Sequence, residues 1–290
     1  VAAIGVVFQP SSPPEALLGF ARAAESAGVP ELWLWEDCFR ESGIASAAAA
    51  LAVTERLRLG LGVLPLPLRN VALTAMELAT LARLFPGRLV AGVGHGVLPW
   101  MGQIGARVAS PLTLMDEAVP ALRDLLAGRT VTVDGRYVHL DAVALDWPPT
   151  APLAVYAAGE GPKTLARTGA LADGTVIPAG WSPSRLAEAV AIVRAAAGPR
   201  ATAHPVVVYL PTAFGDDDTR IARDVPDGGV AAVGDPAAVA RLVGEYAAVG
   251  ATTVVLQPAA TEPDLLGFAE RAGAVARLVD ATPAPADPGA

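Results

Sequence analysis

The segment GEGPKT, residues 159–164, stands between an apolar run and a helical one, and its residue types suit an anion. Gly159 and Gly161 let backbone approach a ligand closely. Pro162 suits a first helical turn, whose free N–H groups favour negative charge. Lys163, the only lysine in the chain, and Thr164 add a cation and a hydroxyl. A phosphate is the ligand this pattern suggests, although the spacing is not that of a Walker loop and Glu160 puts a carboxylate beside the site. The competing reading is that Lys163 is the residue of an arginine-biased composition.

Three further positions could carry chemistry. His95 lies between Gly94 and Gly96 and could move a proton near neutral pH; the alternative is a hydrogen-bonded structural imidazole. Asp37 precedes Cys38, the single cysteine. That thiol would be reactive only beside a positive charge that lowers its pKa, and a small packing residue is the plainer reading. Trp100 and Trp181 fall in loops and could wall an apolar pocket or merely pack. His139 and His204 read as structural or exposed.

The elements that must position these residues alternate. Apolar runs at 4–9, 31–36, 56–66, 88–94, 152–158, 174–180, 205–211 and 252–258 read as strands. Helical spacing marks 13–28, 42–55, 70–85, 110–128, 162–172, 182–198 and 235–250. Ser110, Ser182 and Asp235 are the expected N-caps, Gly28 and Gly128 follow helix ends, and Pro120 is expected to kink its helix. The strands are continuously hydrophobic, as when both faces are buried. Eight such units fit an α/β (β/α)8 TIM barrel, and the first turn, QPSSPP, lacks the glycines of a dinucleotide-binding fold. Two segments are inserted, one after strand 4 and one before strand 5. Residues 95–110 read as a long loop, and 129–150 as a hairpin turning at Asp134-Gly135.

A barrel of this kind binds ligands at the carboxyl ends of its strands. Those ends carry Gln9, Glu36 to Cys38, Gly62 to Leu64, Gly94 to Gly96, Ala158 to Gly161, Pro178 to Gly180, Tyr209 and Gln257. The glycines there suit a flat ligand lying on backbone, or are ordinary strand exits.

Composition narrows the class. The 290 residues are 53% hydrophobic and 17% charged, enough for a large core. A net charge of −8 argues against nucleic acid or an acidic membrane as partner. No apolar run is long enough to span a bilayer, no signal peptide is visible, and one cysteine gives no disulfide or cysteine-based zinc cluster, so no metal is expected and a cytoplasmic setting is. Residues 1–278 are expected to form a single domain and 279–290, with TPAPADPGA at 282–290, a disordered tail.

The segments AESAGVPELWLWED, LRLGLGVLPLPLRNVALTAMELATLARLFPGRLVAGVGHG and LADGTVIPAG resemble the bacterial luciferase-like superfamily of flavin- and deazaflavin-dependent oxidoreductases. The stretch GARVASPLTLMDEAVPALRDLLAGRTVTVDGRYVHL is most similar to its coenzyme F420 branch, of the methylenetetrahydromethanopterin reductase type. The resemblance runs from about residue 4 to 275. It implies a cofactor ring over the barrel mouth, Asp37 in polar contact with it, and a non-prolyl cis peptide at Gly62-Val63 behind it. It further implies that Gly94 and Gly96 edge the ring, and that Gly159, Glu160, Gly161, Pro162, Lys163 and Thr164 hold its phosphate, with Gly180 nearby. Several deazaflavin dehydrogenases of the family have His where this chain has Cys38, and the sugar-phosphate members have Glu where it has Val97, so that chemistry is not expected.

Hydride transfer between coenzyme F420 and an organic small molecule, with His95 and Asp37 as catalytic candidates, is the expected activity. An FMN-dependent monooxygenase fed by a partner reductase is the alternative. A non-catalytic barrel that binds a flavin-like ligand and a phosphate-handling barrel without redox chemistry complete the set. Dimers are common among such proteins, so a homodimer is the assembly the resemblance suggests.

Overall fold

A computed structural model describes residues 1–215, 219–225 and 228–281. The chain begins with β1 (Ala3–Val7), α1 (Leu17–Ala27), β2 (Glu31–Leu34), α2 (Gly43–Ala52), β3 (Arg58–Leu61) and the short β4 (Leu64–Pro65). Then come α3 (Val71–Leu84), β5 (Leu89–Gly94), α4 (Leu98–Gln103), α5 (Pro111–Leu126), and a hairpin of β6 (Val131–Asp134) and β7 (His139–Val143). The second half runs through β8 (Val155–Ala158), α6 (Pro162–Leu171), β9 (Gly174–Ile177), α7 (Pro183–Ala197) and β10 (Val206–Phe214). It ends with α8 (Thr219–Ala222), β11 (Ala232–Gly234), α9 (Pro236–Ala248), β12 (Thr253–Gln257) and α10 (Leu265–Asp280).

The strands close on themselves. Parallel pairing runs from β12 through β1, β2, β3, β5, β8 and β9 to β10, which returns to β12. This is an eight-stranded parallel barrel, with helices packed around it, as the alternation predicts. Register follows residue parity. Ile4 and Val6 of β1, Leu32 and Leu34 of β2, and Val254 and Leu256 of β12 point outward into one apolar cluster shared with the helices. Val7, Trp33, Val90, Tyr156, Val176, Val207, Tyr209 and Val255 form a second, interior cluster.

A few large rings fill that interior. The indole of Trp33 is 1% exposed. It lies across Gly5 and Gly60, where an added Cβ would fall inside van der Waals distance of the ring. The Trp33 indole N–H donates to Glu31 at 3.0 Å, and Glu31 in turn is held by Arg58 at 2.9 Å. Charged groups thus close the floor of the barrel, and aromatic rings plug it above them.

Most helix ends follow the expected chemistry. Ser110 accepts from Thr113 N–H, Ser182 from Arg185 N–H and Asp235 from Ala238 N–H. Gly28 closes α1 in the left-handed region at φ 81°. Pro120 sits inside an α5 that continues from Pro111 to Leu126.

Several expectations are corrected. The run 56–66 is not one strand: it breaks at Gly62-Val63, between β3 and β4, and a 3-10 turn follows at Leu66–Leu68. The supposed loop 95–110 contains α4. β10 extends to Phe214 and gains β11 as an extra parallel neighbour outside the barrel circuit. α10 was hidden by its glycines: Gly273 lies so close to the Ala27 carbonyl of α1 that a side chain there would collide with it. α10 runs on to Asp280, past the expected domain end at 278, and residues 282–290 lie outside the described residues.

A buried polar chain ties α6 to the barrel. Thr168 Oγ1 donates to the Leu165 carbonyl at 2.8 Å and Thr175 Oγ1 donates to Thr168 at 2.8 Å. The Thr175 oxygen must therefore accept, and His204 Nε2 lies 2.9 Å from it. His204 is neutral, with its proton on Nε2, and its Nδ1 is buried without a partner among the described residues. Burial, helped by the nearby Arg200 charge, lowers its pKa from 6.5 to about 4. The unfolded chain therefore binds the extra proton first as pH falls. Stability is expected to drop between pH 6.5 and about 4, by about 3 kcal/mol from this group, with no further loss from it below that range. Urea denaturation of wild type and His204→Gln across that range checks it, since the variant should lose this part of the slope.

Candidate functional site

A cleft of about 610 Å³ opens at the carboxyl ends of the barrel strands, and every barrel strand but β1 contributes to it. Trp35, Glu36 and Asp37 come from the end of β2, and Gly62, Val63 and Pro65 from the break after β3. His95, Gly96 and Val97 follow β5. The β8–α6 junction supplies Ala158, Gly159, Glu160, Gly161 and Thr164. Val176, Pro178 and Ala179 from β9, Tyr209 from β10 and Gln257 from β12 complete the lining.

The back wall is built around Gly62 and Val63, whose peptide bond is cis. Tyr209 Oη donates to the Gly62 carbonyl at 3.0 Å, and the Glu36 N–H donates to the Val63 carbonyl at 3.3 Å. Tyr209 stands edge-on to both Trp33 and Trp35, with ring centroids 6.3 Å and 5.7 Å apart. Burial pushes its phenol well above the usual value, so it stays protonated as the donor to Gly62. Gly94 abuts this wall from behind, where a Cβ would meet the Val63 side chain at 2.7 Å.

Charge on the β2 side is tightly managed. Glu36 accepts from Gly43 N–H at 3.0 Å and bonds Arg69 at 2.7 Å, and Arg69 also bonds Glu77. Asp37 has no such ion pair in the described structure. Burial raises its pKa, offset in part by the Trp35 side chain and the Arg40 charge. Cys38 joins Phe39 through a second cis peptide. Its thiol is pushed up by burial and by the Glu36 and Asp37 carboxylates, the opposite of activation.

His95 is the histidine that lines the cleft. Its Nε2 is buried, has no hydrogen-bond partner among the described residues, and belongs to a side chain that lines the cleft. Burial holds its pKa below 6.5, so the imidazole is neutral at neutral pH. A neutral imidazole with a free nitrogen can accept or return a proton.

The opposite rim is the start of α6. Gly161 is its extended N-cap, Pro162 opens the first turn, and no side chain caps it. α1 and α4 likewise lack one, whereas α2, α3, α5, α7, α9 and α10 each have a side-chain cap. The uncapped first turn of α6 leaves backbone N–H groups for an anion.

Of the residues expected from sequence, the fold brings Asp37, Gly62, Val63, His95, Gly96, Gly159, Glu160, Gly161 and Thr164 to one cleft. Lys163 and Pro162 are exposed outside the lining, because the helix that begins there turns them to solvent. Gly94 lies behind Val63, and Gly180, at φ 83°, accepts from Val230 N–H beside the cleft without lining it. Trp100 and Trp181 do not wall the cleft; Trp181 is buried among the helices beneath Arg185. The inserted hairpin also stays out of it. Glu117 of α5 accepts from the N–H groups of Arg136, Tyr137 and Val138, which holds the turn along that helix. Trp35, Pro65, Val97 and Val176 were not marked as site residues. Parity from Trp33 would have found Trp35.

Known proteins share this architecture. A family model described as luciferase-like monooxygenase matches residues 4–227. A 5,10-methylenetetrahydromethanopterin reductase of Methanolobus tindarius is 28% identical over 60% of this chain and 53% of its own. An F420-dependent glucose-6-phosphate dehydrogenase of Nakamurella multipartita is 30% identical over 38% of this chain and 33% of its own. The chain thus spans about half the length of the first of these relatives, and less of the second. The structure of a coenzyme F420 dependent tetrahydromethanopterin reductase from Methanopyrus kandleri superposes with a TM-score of 0.81 at 19% identity, covering 94% of this chain and 97% of that one. No helix among the described residues is long and apolar enough to cross a membrane.

Proposed function

Because the chain belongs to the luciferase-like monooxygenase family, we propose that it is an oxidoreductase holding coenzyme F420 across the barrel mouth and exchanging hydride between it and a small organic substrate. The observation that carries this reading is the meeting, in one cleft, of the Gly62-Val63 wall, the unpartnered His95 Nε2 and the uncapped start of α6. The volume suits a planar ring system, and the glycine rim admits it to backbone contact. The names of curated relatives favour F420 over FMN.

When bound, the deazaflavin supplies the hydride acceptor or donor. The chain supplies the rest. Val63 and Gly62 would support the bound ring, with Tyr209 fixing the Gly62 carbonyl. Backbone N–H groups at the start of α6 hold the phosphate, an interaction of about 0.3–1 kcal/mol when exposed and up to about 2 when partly buried. Asp37 would make a polar contact to the ring, and Trp35 would exclude water beside it. His95 Nε2 takes the proton released by an oxidised substrate, or returns it in the reverse direction.

Titration with F420 and with FMN, followed by visible absorbance, tests the reading. Saturable F420 binding without FMN binding is expected. FMN binding alone overturns it in favour of a monooxygenase served by a partner reductase, and binding of neither removes the redox assignment. Lys163→Glu is expected to weaken F420 by about fivefold or less at low salt, an effect lost near 1 M salt, because the side chain is exposed. A larger, salt-independent loss in the same titration would return Lys163 to the site.

A further inference from the structure

The charge inventory of the cleft narrows the substrate. Among the described residues that line it there is no lysine or arginine. On the loops beside it, Arg69 is held between Glu36 and Glu77, and Arg40 donates to the Pro10 carbonyl at 2.8 Å while its charge acts on Asp37. With Glu36 balanced by Arg69, Asp37 and Glu160 remain as acidic lining residues without an ion pair among the described contacts. The rim is apolar. Phe39 follows Asp37 in its loop at 66% exposure, and Val97 and Leu98 follow His95 at 43% and 42%.

A substrate phosphate or carboxylate would lose water on entering this cleft and find no cationic side chain in its lining. The first turn of α6, which favours an anion, is taken by the cofactor phosphate in the complex proposed above. Besides the two carboxylates and Thr164 at the α6 end, the polar side chains left in the lining for a substrate are His95 and Gln257, enough for a single carbonyl or hydroxyl. We propose that the substrate is an uncharged, largely apolar organic molecule bearing one such oxygen, and that the cleft rejects anionic compounds, sugar phosphates included. The proposal rests on the deazaflavin reading, which reserves the α6 end for the cofactor.

The test uses the full chain saturated with F420, with saturation confirmed first by visible absorbance. Cyclohexanone and its ring-carboxylated analogue, matched except for one charge, are then titrated by saturation-transfer NMR. The neutral ketone is expected to bind at least about tenfold more tightly. Val97→Arg, which adds a guanidinium at the mouth, is expected to narrow that gap by at least about threefold. Equal or tighter binding of the carboxylate overturns the proposal, as does failure of both ketones to bind the F420-saturated protein. A protein that never takes up F420 is detected before any ketone is added; that result refutes the deazaflavin reading itself and the substrate assignment with it.

Discussion

His95→Ala is expected to lower kcat by about 10²- to 10⁴-fold while F420 affinity changes by less than about threefold. His95 Nε2 is buried, lines the cleft and has no partner among the described residues. Its removal deletes a proton acceptor without deleting a contact that holds the fold. The pH profile separates this role from a structural one. Oxidation of substrate needs the neutral imidazole, so kcat/KM in wild type should rise with pH through a value below 6.5, since burial lowers the His95 pKa. That limb should vanish in the variant. Unchanged turnover would leave His95 as a packing residue, and equal losses in turnover and in F420 affinity would mark it as a cofactor contact.

Trp33→Ala is expected to destabilise the barrel by about 3–5 kcal/mol, because it empties the interior of its largest fully buried side chain. Gly60→Ala is expected to cost about 1–3 kcal/mol for the opposite reason, since the added Cβ would overlap the indole. The two changes occupy the same space. In the double variant the methyl group enters the cavity left by the ring, so the summed costs should not be reached, with a coupling of about 0.5–3 kcal/mol. A urea double-mutant cycle measures it. Strict additivity would mean that Gly60 is small for a reason other than the indole. Either change also moves the floor beneath Tyr209, which stands edge-on to Trp33 and holds the Gly62 carbonyl. A loss of F420 affinity should therefore accompany the loss of stability.

The alternation of apolar runs and helical spacing in the sequence determined the closed barrel, and local chemistry determined the caps at Ser110, Ser182 and Asp235. Those signals are short-range: a cap needs only the three residues that follow it, and a strand needs only its own hydrophobicity. The rim was legible too, because strand ends could be counted without knowing where they pointed. Hence Asp37, Gly62, His95 and Gly159 could be marked in advance and are found at one cleft. What residues 152–258 could not reveal was the facing of each side chain, since strands buried on both sides lack the polar alternation that would betray an interior. Only closure of the sheet sorts Tyr209 inward and Leu210 outward. Closure likewise turned Lys163 to solvent, set Gly94 behind Val63 and left the indole of Trp181 among the helices. These are decisions of register and packing between segments far apart in the chain, and no residue carries them alone.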